Sequence, residues 1–149
     1  MTAEFDIEAL SPGHRDDWAA MWRAYLAFYH TERSEALFDL TFARYCDPTR
    51  TDMRGWMAVD GERSVGLVHV IVHAHGWQEA PITYLQDLYT IPEARGRGVA
   101  QQLIETVFAD ADDAGRPNVY WMTQTGNATA RRLYDRVARA TDFMKYSRA

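Results

Sequence analysis

Apolar and polar positions along this chain follow two rhythms, and the places where one gives way to the other mark its elements. Phe5 to Leu10 alternates weakly and predicts a short first strand. Ser11-Pro12 offers a helix N-cap and a first-turn proline. Trp18, Met21, Trp22, Tyr25, Leu26 and Tyr29 then recur at helical spacing and form one apolar stripe. Leu37, Phe38, Phe42 and Tyr45 carry a second helix over 34–45. It stops before Asp47-Pro48, because a residue preceding proline is pushed out of the helical region.

The rhythm next shortens to that of strands. Residues 55–59 predict one strand, Asp60-Gly61 a hairpin turn, 64–75 a long β-branched strand broken by Gly76, and 82–91 another ended by Pro92. Val99, Leu103, Ile104, Val107 and Ala111 restore the helical period until Gly115 and Pro117 close it. Residues 119–122 predict a short strand, 127–137 a fourth helix and 143–147 a final strand. The order β-α-α-β-β-β-α-β-α-β predicts an α/β fold of the α+β kind, a mixed sheet flanked by helices.

Composition narrows the class. At 149 residues, 47% hydrophobic and 25% charged, the chain fits one globular domain spanning 1–149. Its one cysteine, Cys46, excludes an internal disulfide framework and a Cys-rich zinc module; it reads as a packing residue. No apolar run approaches a membrane span, and the acidic start (Glu4, Asp6) is unlike a secretion signal, so a cytoplasmic location is expected. The net charge of −5 argues against nucleic-acid binding. That charge is uneven: residues 1–90 hold 7 Arg against 14 acids, and 91–149 hold 8 Arg and 1 Lys against 7 acids.

The positive part contains the most informative segment, Asp87-Leu-Tyr-Thr-Ile-Pro-Glu-Ala-Arg-Gly-Arg-Gly-Val-Ala100. Gly96 and Gly98 free the backbone to turn its N–H groups inward, the following helix adds unsatisfied donors, and Arg95 and Arg97 add charge. A tight turn with solvated arginines would need the same glycines. A dinucleotide fingerprint fails because Gln101 stands where its third glycine should be, and a Walker loop lacks Gly-Lys-Ser/Thr. The remaining reading is Arg95-x-x-Gly98-x-Ala100 as an acyl-CoA pyrophosphate loop.

That motif resembles the Q/R-x-x-G-x-G/A loop of the GNAT superfamily of acetyl-CoA-dependent N-acetyltransferases. Tyr84-Leu-Gln-Asp-Leu-Tyr-Thr90 is similar to the strand that precedes the loop there. Val119 to Asn127, with Ala130, Leu133 and Tyr134, resembles the next strand and the N-x-x-A-x-x-L-Y helix. The likeness is densest over 82–146 and leans toward the polyamine and small-amine branch. It implies an acyltransferase moving acetyl from acetyl-CoA, bound as co-substrate without a metal, to a primary amine of a small molecule. Acetylation of protein lysines or N-termini, or acyl-CoA binding without turnover, are the alternatives. A homodimer is a tendency of the superfamily.

The resemblance also implies roles. The backbone of Arg97, Gly98, Val99 and Ala100, with Arg95 and Gly96, would hold the pyrophosphate. Leu88, Tyr89 and Thr90 would offer backbone groups to the pantetheine arm, a backbone N–H near Tyr89 facing the thioester carbonyl. Asn127 and Ala130 would contact the cofactor, Asn127 also being a natural N-cap. Tyr134 would be the general acid for the departing sulfur, though its spacing also suits a core tyrosine. Asp87 is the leading general base, since an alkyl ammonium with pKa around 10 must lose a proton. Polyamine-type relatives carry Glu-Asp where this chain has Gln86-Asp87. No nucleophile lies beside the loop, so direct attack in a ternary complex is expected.

His69, His73 and His75 share a strand parity and could be a metal site, a base or substrate contact, or a solvated face. Positions i and i+4 of a strand lie about 13 Å apart, too far for one zinc. The solvated face is the expectation. Most aromatics of the first helix should be core, while some, with Glu32, Glu35 and Asp39, would suit a cationic amine.

Overall fold

A computed structural model describes residues 5–149. Four strands form an antiparallel meander: β1 (Asp6–Ala9), β2 (Met53–Asp60), β3 (Arg63–His73) and β4 (Ile82–Thr90). The connection after β4 contains a helix, so the fifth strand, β5 (Val119–Tyr120), returns parallel to it. The sheet order is β1-β2-β3-β4-β5.

Side-chain alternation along the strands serves two different helical layers. On one face, α1 (Arg15–Phe28) and α2 (Glu35–Cys46) bury Trp18, Trp22, Phe38, Phe42 and Tyr45 against Met57, Val59 and Leu67. On the other, α3 (Val99–Asp113) packs Val99, Leu103, Ile104 and Val107 on Val68, Val70 and Leu85. The neighbours Leu67 and Val68 thus belong to opposite cores, as a period of two requires. Leu133, Tyr134 and Val137 bring α4 (Ala128–Val137) against the second core.

The ends of these elements follow local chemistry. The Leu37 N–H donates to the Ser34 hydroxyl at 3.1 Å, and the Ala130 N–H to the Asn127 side-chain oxygen at 3.4 Å. Asn127 is therefore the cap of α4 rather than its first residue. The first helix begins later than Ser11-Pro12 suggests, because a 3₁₀ turn over Pro12–His14 comes first.

Two features of β4 prepare a site. His69 pairs with Asp87 and Val70 with Leu85, which leaves Gln86 as an extra residue, a bulge that twists the strand and re-aims its side chains. And β5 pairs with β4 only at Thr83 and Tyr84. From Leu85 to Thr90 the backbone groups turned away from β3 face an opening in the sheet rather than another strand.

Two expectations are corrected here. The strand at 119–122 is only two residues long, and 143–147 forms no strand. An extended segment becomes a strand only where a ladder takes up its N–H and C=O groups, and none of the described strands does so for this one. The stretch after Val137 is exposed throughout, with Phe143 83%, Met144 74% and Tyr146 88% accessible.

Candidate active site

The opening between β4 and β5 deepens into a cleft of about 640 Å³. Leu88, Tyr89 and Thr90 form one wall, and Asn127, Ala130, Leu133 and Tyr134 of α4 the other. Arg95, Gly96, Gly98, Val99 and Ala100 close one end, while Tyr25, Phe28 and Tyr29 from the end of α1 lie at the rim. Thirteen residues were expected to act here, and all but Asp87 and Arg97 line this one cavity.

The loop is shaped by its two glycines. Gly96 and Gly98 both have φ +82, a left-handed conformation that a side chain would strain. A Cβ at either position would meet no atom of the protein, so the space above them is open. Gly98 caps α3 without a side chain, so the N–H groups of the first turn remain without the side-chain acceptor that Ser34 and Asn127 give α2 and α4. Arg95 faces the cleft. Arg97 turns away and donates to Asp60 at 3.0 Å, so its guanidinium does not join the loop.

Two further observations fit a long polyanionic ligand with a polar arm. Thr90 Oγ1 is buried without a hydrogen-bond partner, in the wall nearest the loop. Among the described residues the cleft is lined by Arg95, Arg132 and Arg136 and by no carboxylate. Nothing in the sequence reading singles out Arg132 and Arg136. The clue is their spacing of four on α4, which puts both on the helical face shared with Leu133. Glu35 and Asp39, expected to favour a cation, instead pair with Arg23 and Arg15, and Glu32 also lies outside the cleft.

Tyr134 packs edge-on against Trp121 with ring centroids 5.5 Å apart, and it lines the cleft. Burial, and to a smaller extent Tyr29, pushes its phenol above the ordinary value, so it stays protonated and able to donate.

Asp87 lies behind the rim, on the α1 side of the sheet. Its Oδ2 is 2.8 Å from His69 Nδ1, and the Trp18 Nε1–H donates to His69 Nε2 at 2.9 Å. Tyr45 stacks on the imidazole at 4.0 Å. His69 is 1% exposed, which overturns the expected solvated face. His73 bonds the Tyr120 hydroxyl at 2.9 Å, while His75 lies beyond β3 and accepts the Trp77 N–H, so the three imidazoles diverge. Tyr25 stands between Asp87 and the cleft, its hydroxyl 3.4 Å from the Gln86 carbonyl. Burial first, then the Asp87 charge, pushes the Tyr25 phenol far up.

The profile of the acetyltransferase (GNAT) family matches residues 18–138. The D-amino-acid N-acetyltransferase HPA3 of Saccharomyces cerevisiae is 36% identical over 144 residues, covering 95% of this chain and 89% of that enzyme. Among solved structures, AAC(6')-Iy in complex with the bisubstrate analogue CoA-S-monomethyl-acetylneamine superposes with a TM-score of 0.84 at 16% identity, over 97% of each chain. The ribosomal-protein-alanine N-acetyltransferase of Brucella melitensis biovar Abortus 2308 does so with 0.80 at 18%, over 97% of this chain and 98% of that one. The chain belongs to the GNAT family and is an acetyl-CoA-dependent N-acetyltransferase.

Proposed function

We propose that the acceptor is a small molecule bearing a single ammonium group, with free amino acids the leading class. The observation that carries this is the charge of the site: among the described residues three arginines and no acid line the cleft, and the Asp87 carboxylate is set behind its rim. A polyamine or an aminoglycoside needs several anionic partners, whereas one ammonium needs one. The 36% identical relative, named for D-amino acids, supports the same class. The acidic excess of residues 1–90 lends little to a polycationic site, since Glu32, Glu35 and Asp39 lie outside the cleft.

When bound, acetyl-CoA supplies an activated thioester. The N–H groups of 97–100 and Arg95 hold its diphosphate, and Arg132 and Arg136 provide charge for the remaining phosphate. The backbone groups of Leu88 and Thr90, which point away from β3, would hold the pantetheine arm and offer an N–H to the thioester oxygen, whereas Tyr89, opposite Leu67, has its N–H taken up by the ladder with β3. Asn127 keeps α4 capped beside that arm, next to Ala130. Asp87 takes the ammonium proton, and Tyr134 gives its own to the departing sulfur. Amine attack is direct, as neither loop nor rim offers a nucleophile. Thiol release from acetyl-CoA should be fastest with D- or L-amino acids in a panel that includes polyamines, aminoglycosides and lysine peptides. Turnover confined to the peptides or to polycations would overturn the assignment.

The arm beyond Val137 supports a homodimer. It exposes Phe143, Met144 and Tyr146, while β5, at the sheet edge, exposes Tyr120. An extended apolar segment without a ladder and a sheet edge without a neighbour would complement each other between two copies. Light scattering on the full chain and on a variant ending at Val137 should give a dimer and a monomer; a monomeric full chain would refute it. The unpaired Cys46 suits a reducing compartment such as the cytoplasm.

A further inference from the structure

The chain Trp18–His69–Asp87 uses each donor and acceptor in only one consistent way. An indole Nε1–H can only donate, so His69 Nε2, 2.9 Å away, must present a bare lone pair. The one remaining imidazole proton is then on Nδ1 and is donated to Asp87 Oδ2 at 2.8 Å. Asp87 cannot hold its proton on that oxygen without putting two donors face to face. We propose that Trp18 and His69 are positioning residues that keep Asp87 an oriented, unprotonated acceptor for the ammonium proton. This rests on the reading of Asp87 as the base.

The surroundings fit a device that fixes protons rather than moves them. His69 is walled in by Trp18 and Trp22 and stacked on Tyr45, so water does not reach Nε2. The titratable groups facing the pair are Tyr25 from α1, Tyr29 at its C-terminal cap, Tyr45 from α2 and Tyr84 from β4; burial first, and the Asp87 charge after it, pushes each phenol up and keeps it neutral. Arg15 stacks over the Trp18 ring at 5.5 Å and is paired with Asp39. The ammonium proton ends on the free oxygen of Asp87, past the Tyr25 hydroxyl, which donates to the Gln86 carbonyl at 3.4 Å. One N–H bond breaks, one O–H bond forms on the carboxylate, and the imidazole remains neutral throughout. A second proton on His69 would need Nε2, breaking the bond to Trp18, and the resulting imidazolium would make Asp87 a weaker acceptor.

Two measurements test this separately from the base itself. Turnover of Asp87→Asn at the wild-type rate would sink both the base and the positioning roles. If that variant is inactive, imidazole nitrogen NMR of the full chain reads His69 directly. The expected signal is the Nδ1–H tautomer with Nε2 bare. An Nε2–H tautomer overturns the lock. Trp18→Phe removes the indole donor and keeps an aromatic ring. It should release the tautomer and orientation of His69 and lower kcat/KM for the amine at least tenfold, with KM for acetyl-CoA unchanged. A wild-type kcat/KM for the amine in Trp18→Phe also overturns the proposal, and the NMR result stands even if that variant folds poorly.

Discussion

Gly66 on β3 and Val99 at the start of α3 touch so closely that a Cβ on the glycine would lie 2.7 Å from Val99 Cγ1 and 3.1 Å from the Tyr89 carbonyl oxygen. The contact seats the first turn of α3, the turn whose N–H groups face the cleft. Gly66→Ala must therefore push α3 outward or shift β4. The expected cost is about 1–3 kcal/mol of stability, as for other overpacked cores. Acetyl-CoA binding should weaken at the same time, because the loop and the strand wall move relative to each other. Thermal unfolding and calorimetric titration check the two effects, and unchanged affinity in a destabilised protein would separate the seat from the site.

The loop can be tested without touching the core. The Cβ of Gly98→Val would meet no protein atom, so the penalty at that atom is the left-handed strain, about 1–2 kcal/mol. Its side chain would stand over the N–H groups of the first turn. A loss of at least tenfold in acetyl-CoA affinity, about 1.4 kcal/mol, is expected by calorimetry. Arg97→Ala is the contrast: its side chain pairs with Asp60 on the surface, and such pairs contribute little, so affinity should stay within about twofold.

That contrast also shows what a sequence can and cannot reveal. The loop was legible because Gly96 and Gly98 must be glycine for local reasons of backbone angle, and local reasons survive in a sequence. The direction in which Arg95 and Arg97 point was not, since it depends on Asp60, a partner 37 residues away. His69 shows the same limit. Its parity with His73 is correct, but β3 runs from the buried middle of the sheet to its more open end and stops there, so His69 is buried, His73 is half-buried and His75 lies beyond the strand. Asn127 was readable as a cap because its partner is three residues away. The segment 143–147 has strand composition, but none of the described strands takes up its backbone groups, and composition alone does not make a ladder.

Tyr134→Phe removes one oxygen and leaves the packing on Trp121 in place. If the phenol protonates the departing sulfur, turnover should fall by about a hundredfold, the lower range for a positioned acid, with acetyl-CoA affinity unchanged. Steady-state rates with calorimetry on the same variant measure both. A wild-type rate would return Tyr134 to the role of a packing residue.

Alkaline stability follows from the buried phenols. Tyr25, Tyr45 and Tyr134 all have their pKa raised, chiefly by burial, which penalises the phenolate. In the unfolded chain each ionises near the ordinary tyrosine value of about 10. Above that pH the unfolded state has lost protons that the folded state still holds, so the equilibrium shifts toward unfolding as pH rises. Below it both states are neutral and these tyrosines give no pH dependence. The melting temperature should thus be insensitive to these groups through neutral pH and fall steeply above about pH 10. Phenolate absorbance of the buried three should appear together with unfolding. Tyr45→Phe, which cannot ionise, should soften the decline, and an equally steep fall in that variant would assign the alkaline transition to other groups.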